Sequence, residues 1–346
     1  MALTAAELGD LVEITLAHLE KPDYTNLATT LQEYYALPQI LNERSVGYDS
    51  GKQIDFSVMK KHSGAAKHTG LFAADVVNVD DVMTTGTVPW RHLTTNYAFD
   101  TREVEMNRSP AKIVDLVKVR RADAMTSLAE LLEEDFWGMP DDADDNEKWF
   151  GIKYWIVQNA STGFYGGNQA GFAGGAGGIS STDVARWKNW SGGYTDKTKA
   201  DMVAEMRHAM VKTVFKNPVA MPDAEVKYTW AIYTTYTVVG ALESILEEQN
   251  DQLGKDVASM DGKVTFRGNA VNYVPYLEEN ETNDPIYGVN WGAFQPVFLE
   301  GEYLSEDGPS SENTGSHKVV AVHIDLTGNY ICRNRRTNWV LYDDNA

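Results

Sequence analysis

The chain has 346 residues, 43% of them apolar and 23% charged, and its 30 Lys plus Arg against 50 Asp plus Glu give a formal net charge of −20. These are the proportions of a globular chain and exclude a disordered or fibrous one. The acidic balance also argues against a sequence-specific DNA reader, which needs a basic face, while leaving room for a local basic patch.

No apolar run is long enough to cross a membrane. The opening text, MALTAAELGDLVEI, has early acids and no basic region ahead of an apolar core, unlike a secretory signal or a transit peptide. Cys332 is the single cysteine, so there is no internal disulfide and no cysteine-based zinc site. A reducing site of synthesis fits that usage. The length allows one large domain or two to three small ones.

Residues 4–46 begin with an amphipathic pattern in which Leu8, Leu11, Val12, Ile14, Leu16 and Leu19 share a face until Pro22 stops it. The following text, broken by Pro38, reads either as a core helix or as an arm packed on another subunit. Over 47–100 the pattern changes. Ile54, Phe56 and Val58 alternate with polar residues, and a second β-like stretch covers 86–100, with Val88, Trp90 and His92 on one face if it is regular. Between them lies a tip with Gly64 and Gly70. The expectation is a long two-stranded hairpin, which cannot stand alone in water and must be covered by the rest of the chain or by a neighbour.

The clearest helix is predicted over 109–138. Ser109 serves as its N-cap, Pro110 takes its first position and Gly138 its C-terminal stop. Ile113, Leu116, Val117, Ala124, Leu128, Leu131 and Leu132 mark its apolar stripe. Lys112, Lys118, Arg120 and Arg121 lie with Asp115 and Asp123 on the other face. Such a rod is roughly 40 Å long at 1.5 Å per residue.

The text MPDDADDNEK at 139–148 reads as a solvated acidic loop or a cation site, although it lacks the calcium-loop glycine and terminal glutamate. Residues 149–194 are rich in aromatics and glycine. No GK[ST] follows the glycines, so a flexible or closely packed surface loop is expected rather than a phosphate cradle. A helix is predicted over 196–216 with Val203, Met206, Met210 and Val214 on one face, then a strand EVKYTWAIY and a helix TYTVVGALESILEEQND. The text from 264 to about 304 reads as short strands with turns. Residues 318–342 read as two strands joined by a turn at Thr327-Gly328-Asn329.

No catalytic constellation is present: there is no GxSxG, SxxK, HExxH or Walker loop. Glu133 and Glu134 are consecutive and point to different helix faces. His62 and His68 suit an exposed loop. Nine Trp and 17 Tyr fit either a sugar-binding face or cores and interfaces. Long extended elements leave apolar faces wet unless partners cover them, so the chain reads as one built to assemble.

The order of these elements resembles that of the major capsid protein of tailed bacteriophages, the Hong Kong 97 fold. The text GGAGGISSTDVARWKNWSGGY, with Gly178, Ile179, Trp187, Asn189 and Trp190, is similar to a segment of that family. So are AEVKYTWAIYTTYTVVGALESIL, FRGNAVNYVPYLEE, DPIYGVNWGAFQPVFLEG and LTGNYICRNRRTNWVLY. Together they cover roughly 45–342.

The resemblance implies an α+β fold with an N-terminal arm (1–46) and an extended hairpin loop (47–100). A peripheral domain with a spine helix (101–150) would be joined by returning strands (318–346), and 151–317 would be mainly an axial domain. It implies a structural subunit, not an enzyme, with no cofactor and no catalytic or metal residues. Copies would assemble as pentamers and hexamers into an icosahedral virion shell made in the bacterial host cytoplasm. Double-stranded DNA would be enclosed without sequence-specific binding, and no membrane would be involved. Portal and scaffolding proteins, and a possible decoration protein, would be further partners.

Only about 46 residues precede the hairpin, which implies a separate or already removed scaffolding segment. The residues expected at contacts between copies are Lys60, Lys61, Lys67, Trp90, Arg120, Arg121, Trp187 and Trp190. One branch of the family joins a loop lysine to an asparagine, for which Asn334 or Asn338 would be the partner here. An encapsulin-type compartment shares the implied fold, and a monomeric carbohydrate-binding protein is the reading from another class.

Overall fold

The computed structural model describes residues 46–49, 51–71, 80–100, 110–216, 227–250, 264–310 and 318–345, with isolated positions 34, 35, 38, 40, 102 and 103. The amphipathic pattern at 4–19 and the Ser109 cap lie outside the described residues.

The strands are β1 (Val46–Tyr48), β2 (Ile54–Met59), β3 (Met83–Val88), β4 (Arg91–Asp100), β5 (Gly163–Gly166), β6 (Asn189–Tyr194), β7 (Trp230–Thr234), β8 (Thr265–Phe266), β9 (Asn269–Tyr273), β10 (Ile286–Asn290), β11 (Phe294–Leu299), β12 (Ser305–Ser310), β13 (Val319–Cys332) and β14 (Trp339–Asp343). The helices are α1 (Pro110–Trp137), α2 (Ile152–Trp155), α3 (Met202–Lys212), α4 (Tyr236–Asn250) and α5 (Pro275–Asn280). The chain divides into two compact units. Among the described residues, one is drawn from 92–132 and 301–326, the other from 34–91, 133–300 and 327–345.

In the first unit β12 pairs antiparallel with β13, with a register shift between Asp307 and Ser310, and β4 also pairs with β13. Helix α1 starts at Pro110, as the sequence predicts, because proline fits the first helical turn, where its missing N–H costs nothing. Its buried stripe contains Ala124, Leu128 and Leu132. Leu131, expected on that stripe, is exposed: it is one residue, about 100°, away from Leu132.

The second unit holds a seven-stranded sheet in the order β5-β6-β14-β10-β7-β9-β8. It also holds β1 and β11, paired parallel, with β11 antiparallel to residues 328–332 of β13. Aromatic rings fill its interior. Phe136 stacks on Trp291 at 5.6 Å and meets Trp137, Phe294 and Tyr330 edge-on. Trp137, Trp149, Trp155 and Trp339 are fully buried. The aromatic wealth of the sequence is thus spent largely on a core.

Several expectations are corrected here. Thr327-Gly328-Asn329 is no turn; β13 runs straight through it. Gly328 is needed because a Cβ there would lie 2.5 Å from the Val297 carbonyl oxygen and 2.9 Å from the Trp149 ring. Asn329 is buried, its Oδ1 accepting the Phe150 N–H and its Nδ2 donating to the Pro89 carbonyl. Residues chosen for close packing therefore imitate a turn signal.

Val88, Trp90 and His92 do not share a face. Pro89 and Trp90 break the strand, so Val88 is buried and His92 exposed. Helix α3 begins at Met202 rather than near Asp196, because the Asp201 carboxylate gathers the N–H groups of Thr195 and Asp196 into a loop. It ends at Lys212, which leaves Val214 outside it and exposed. Residues 275–280 form a helix rather than a strand, with Pro275 opening it.

The last turn of α1 carries Glu133, Glu134 and Asp135 and no basic residue, although the C-terminal end of a helix dipole favours cations. Glu133 is buried and accepts the Trp137 indole N–H at 2.8 Å, while Glu134 is exposed, so the two do face apart. Burial first, then the Glu134 carboxylate, push the Asp135 carboxyl up to about 7, against the opposing Lys148. The folded state therefore holds the proton more tightly than the unfolded chain, and stability falls as pH rises from about 4 to about 7. Asp135→Asn is expected to remove most of that slope and to gain a few kcal/mol at pH 8 relative to the parent. Urea unfolding at pH 5 and pH 8 measures it; an unchanged slope would contradict this assignment.

Candidate functional site

The β2–β3 hairpin is anchored at its base and exposed at its tip. The ladder runs from Ile54 opposite Val88 to Met59 opposite Met83. Ile54, Phe56 and Val88 are buried, and Phe56 meets the rings of Trp155 and Trp187 at 6.2 and 6.3 Å. Gly86 sits opposite Phe56, and a Cβ there would lie 2.4 Å from that ring. The rest of the chain therefore covers the base. Beyond it, Lys60 pairs with Asp81 at 2.5 Å and Lys61 with Asp80 at 3.0 Å. Residues 64–71 are all exposed, Leu71 at 94%. Lys67 and His68 lie in this stretch, and His62, just before it, is exposed as well.

Under the hairpin base the glycine-rich segment is closely packed. Arg335 is its centre. The Arg335 guanidinium is fully buried and donates to the carbonyl oxygens of Trp155 (2.7 Å), Trp187 (3.0 Å), Gly166 (3.3 Å) and Gly167 (2.8 Å) and to Asn189 Oδ1 (3.3 Å). None of these partners is a carboxylate. Burial pushes its pKa down to about 10, so it stays charged at neutral pH, held by oriented carbonyl dipoles. The Trp187 indole N–H donates to the Ala176 carbonyl at 2.9 Å. Nothing in the pattern of side chains pointed to Arg335, since all but one of its partners are main-chain carbonyls. The only signal was a basic pair, Arg335-Arg336, inside an apolar text.

The acidic loop is built by its own carboxylates. Asp142 accepts the N–H groups of Asp144 and Asp145, and Asp145 accepts those of Glu147 and Lys148. From below, the Arg91 guanidinium donates to the carbonyls of Asp145, Asn146 and Lys148. Among the described residues no group of three or more His, Cys, Asp or Glu side chains is placed to hold a metal.

The residues expected at contacts between copies are not brought together. Lys60 and Lys61 are in cross-strand ion pairs. Trp90 donates its indole N–H to the Gly51 carbonyl at 2.9 Å. Arg120 makes a two-pronged bond to Glu103 and a further bond to the Ala98 carbonyl. Arg121 donates to Glu306, its Nε at 2.7 Å. Trp187 and Trp190 are 3% and 5% exposed, their rings absorbed by the core of their own unit. Asn338 is also buried, its Oδ1 accepting the Asn290 N–H at 2.7 Å, so its amide is out of reach of a lysine from another copy. The Asn334 side chain accepts the Arg336 N–H.

No protein-family model matches the sequence, and no curated protein does. Solved structures do match in fold. The capsid asymmetric unit of cyanophage A-1(L) aligns with a TM-score of 0.61 at 14% identity, over 94% of this chain and 97% of that one. The capsid of a native GTA particle aligns with a TM-score of 0.54 at 14% identity, over 99% of both chains. The capsid of Myoviridae phage XM1 aligns at 0.53 with 10% identity, again over 99% of both. The chain has the α+β fold of these capsids, the Hong Kong 97-type fold.

Proposed function

We propose that this chain is the structural subunit of an icosahedral shell of the tailed-phage kind, assembling from copies of itself as pentamers and hexamers around double-stranded DNA. The observation that carries the reading is a likeness in fold to capsid structures that spans nearly the whole chain. A hairpin buried at its base, with residues 64–71 exposed, supports it, because a tip bearing Leu71 has contact surface to offer a second copy.

In this reading the role is structural rather than catalytic, and residues 47–100 are the loop that reaches a neighbour. Residues 101–150 and 318–346 are peripheral, and 151–317 mainly axial. Lys60, Lys61, Lys67, Trp90, Arg120 and Arg121 act at or beside contacts between copies. Portal, scaffolding and decoration proteins are its further partners, the virion its location and the bacterial cytoplasm its place of synthesis. The acidic charge keeps an enclosed duplex from being gripped, since phosphate binding follows clustered Lys and Arg.

Electron micrographs and light scattering of the expressed chain test this. Closed particles of uniform size are expected, with nucleic acid inside those recovered from virions. A stable species near 38.4 kDa at micromolar concentration would defeat it. Particles filled with a protein cargo and free of nucleic acid would favour the encapsulin-type alternative.

A further inference from the structure

A cavity of about 250 Å³ opens between α3, α4 and β8. Leu242, Leu246 and Phe266 give it an apolar wall, and Lys199, Arg207 and Arg267 stand around it. No acid is among its described lining residues, and none of the three cations makes an ion pair with a described residue. Arg267 is held there in a conformation that arginine rarely adopts. It opens the two-residue turn between β8 and β9 at φ 50°, and Gly268 follows at φ 81°. Such a turn favours Asn, Asp or Gly, because an L side chain crowds the backbone at positive φ. Strain kept at one residue points to a use for its side chain.

The opposite end of α4 has the complementary shape and charge. Tyr236 is 61% exposed, more than any other described large apolar side chain except Leu71 of the hairpin. Its ring stands edge-on to that of Tyr273 at 6.2 Å, and Glu278 accepts its main-chain N–H at 3.2 Å. Burial first, then Glu278 and Glu279, push the Tyr273 hydroxyl above its usual pKa. The nearby Asp284 and Glu281 are paired with Lys197 and Lys153, whereas Glu278 and Glu279 are exposed and have no basic partner among the described residues. Tyr165, the other well-exposed aromatic side chain of this unit, has no carboxylate partner among the described residues. An aromatic ring with an acidic rim fits an apolar cavity with a basic one. Tyr236 opens α4 and Leu246 lies ten residues further on, about 15 Å along the same rod, so a copy cannot fill its own cavity.

We propose that Tyr236 of one copy enters the cavity between α3 and α4 of a second copy, where Glu278 and Glu279 meet Lys199, Arg207 and Arg267. The inference rests on the shell reading above and deepens it by naming a contact. Two different patches meet in it, and such head-to-tail contacts close into rings when the rotation permits.

Engineered cysteines test it directly. Cys332 is buried, so added cysteines are the reactive ones. Mixing Glu279→Cys with Thr265→Cys, an exposed residue of the cavity wall, is expected to give under mild oxidation a disulfide-linked dimer that neither variant gives alone. Tyr236→Ser is expected to keep the parent Tm and to lower the yield of closed particles at least about tenfold, as loss of an aromatic anchor does. Arg267→Asn supplies the Asn-Gly that the turn favours, so it is expected to raise the Tm while lowering that yield, opposite changes that a purely structural role would not give.

Where the parent forms particles, undiminished Tyr236→Ser particles or the absence of the mixed disulfide would overturn the contact alone. A Tyr236→Ser Tm loss that accounts for the missing particles would overturn it as well, the ring then belonging to the fold. Arg267→Asn particles at parent yield would do the same, in favour of phosphate at the rim if they hold less DNA. A parent chain that stays monomeric would sink the shell reading, and this contact with it.

Discussion

Replacing Arg335 with alanine is expected to cost about 3–5 kcal/mol, because several buried neutral acceptors lose their donor and each costs about 1–3 kcal/mol when left unsatisfied. Four carbonyl oxygens and Asn189 Oδ1 lose their donor at once, in a site where water does not reach them. These acceptors come from the ends of α2 and β5 and from residues 187–189 leading into β6, so one side chain ties three separate segments together. The expected Tm loss is about 5–10 °C. Arg335→Lys is expected to fall in between, because one ammonium cannot reach donors' positions spread over a planar fork. Arg333→Ala, at an exposed position, is the control and should stay within about 0.5 kcal/mol. Thermal unfolding followed by near-ultraviolet circular dichroism reads the difference. An Arg335→Ala loss below about 1 kcal/mol would show that the cage is not what holds these segments.

The second large effect is expected at the hairpin tip, on assembly rather than on folding. The Lys60 N–H donates to the Val82 carbonyl where the ladder ends, so replacing residues 61–81 by Asn-Gly leaves a two-residue turn in register on an intact ribbon. Ile54, Phe56 and Val88 keep their buried places, and the Tm should move by no more than a degree or two. Closed particles should vanish. Removing β2 itself would confuse the outcome, since losing the Phe56 ring from its contacts with Trp155 and Trp187 costs about 3–5 kcal/mol on its own. Normal particles from the 61–81 replacement would show that the tip has no part in shell closure.

Much of the scaffold was legible from local chemistry. The long helix declares itself through Pro110 and Gly138, whose N–H donates to the Glu134 carbonyl as a helix stop requires. The hairpin shows in the alternation of Ile54, Phe56 and Val58, and the order of elements matches a fold that solved capsids share. What was not legible depends on distant partners. Trp187 and Trp190 were expected at contacts between copies, and nothing in the sequence names their partners; only the folded chain puts Phe56 and Arg335 against the first and His208 against the second. Gly328 and Asn329 read as a turn because a turn and a close strand contact select the same residue types. Arg335 was invisible because carbonyl oxygens have no sequence identity.

The β2–β3 ribbon forms a sheet of its own, with only two strands. Each strand therefore has a row of main-chain donors and acceptors on its outer side that no other described strand occupies. Such rows are templates for uncontrolled strand addition. The lysine–aspartate pairs at the ribbon's end act as gatekeepers, since another strand would have to pull those charges out of water to extend the ladder. A subunit waiting for its neighbours thus bears an amyloid-like liability, and rapid, ordered closure is its remedy: crowded, unassembled chains should drift toward fibrous aggregates, at a rate that rises when Lys60 and Lys61 are neutralised.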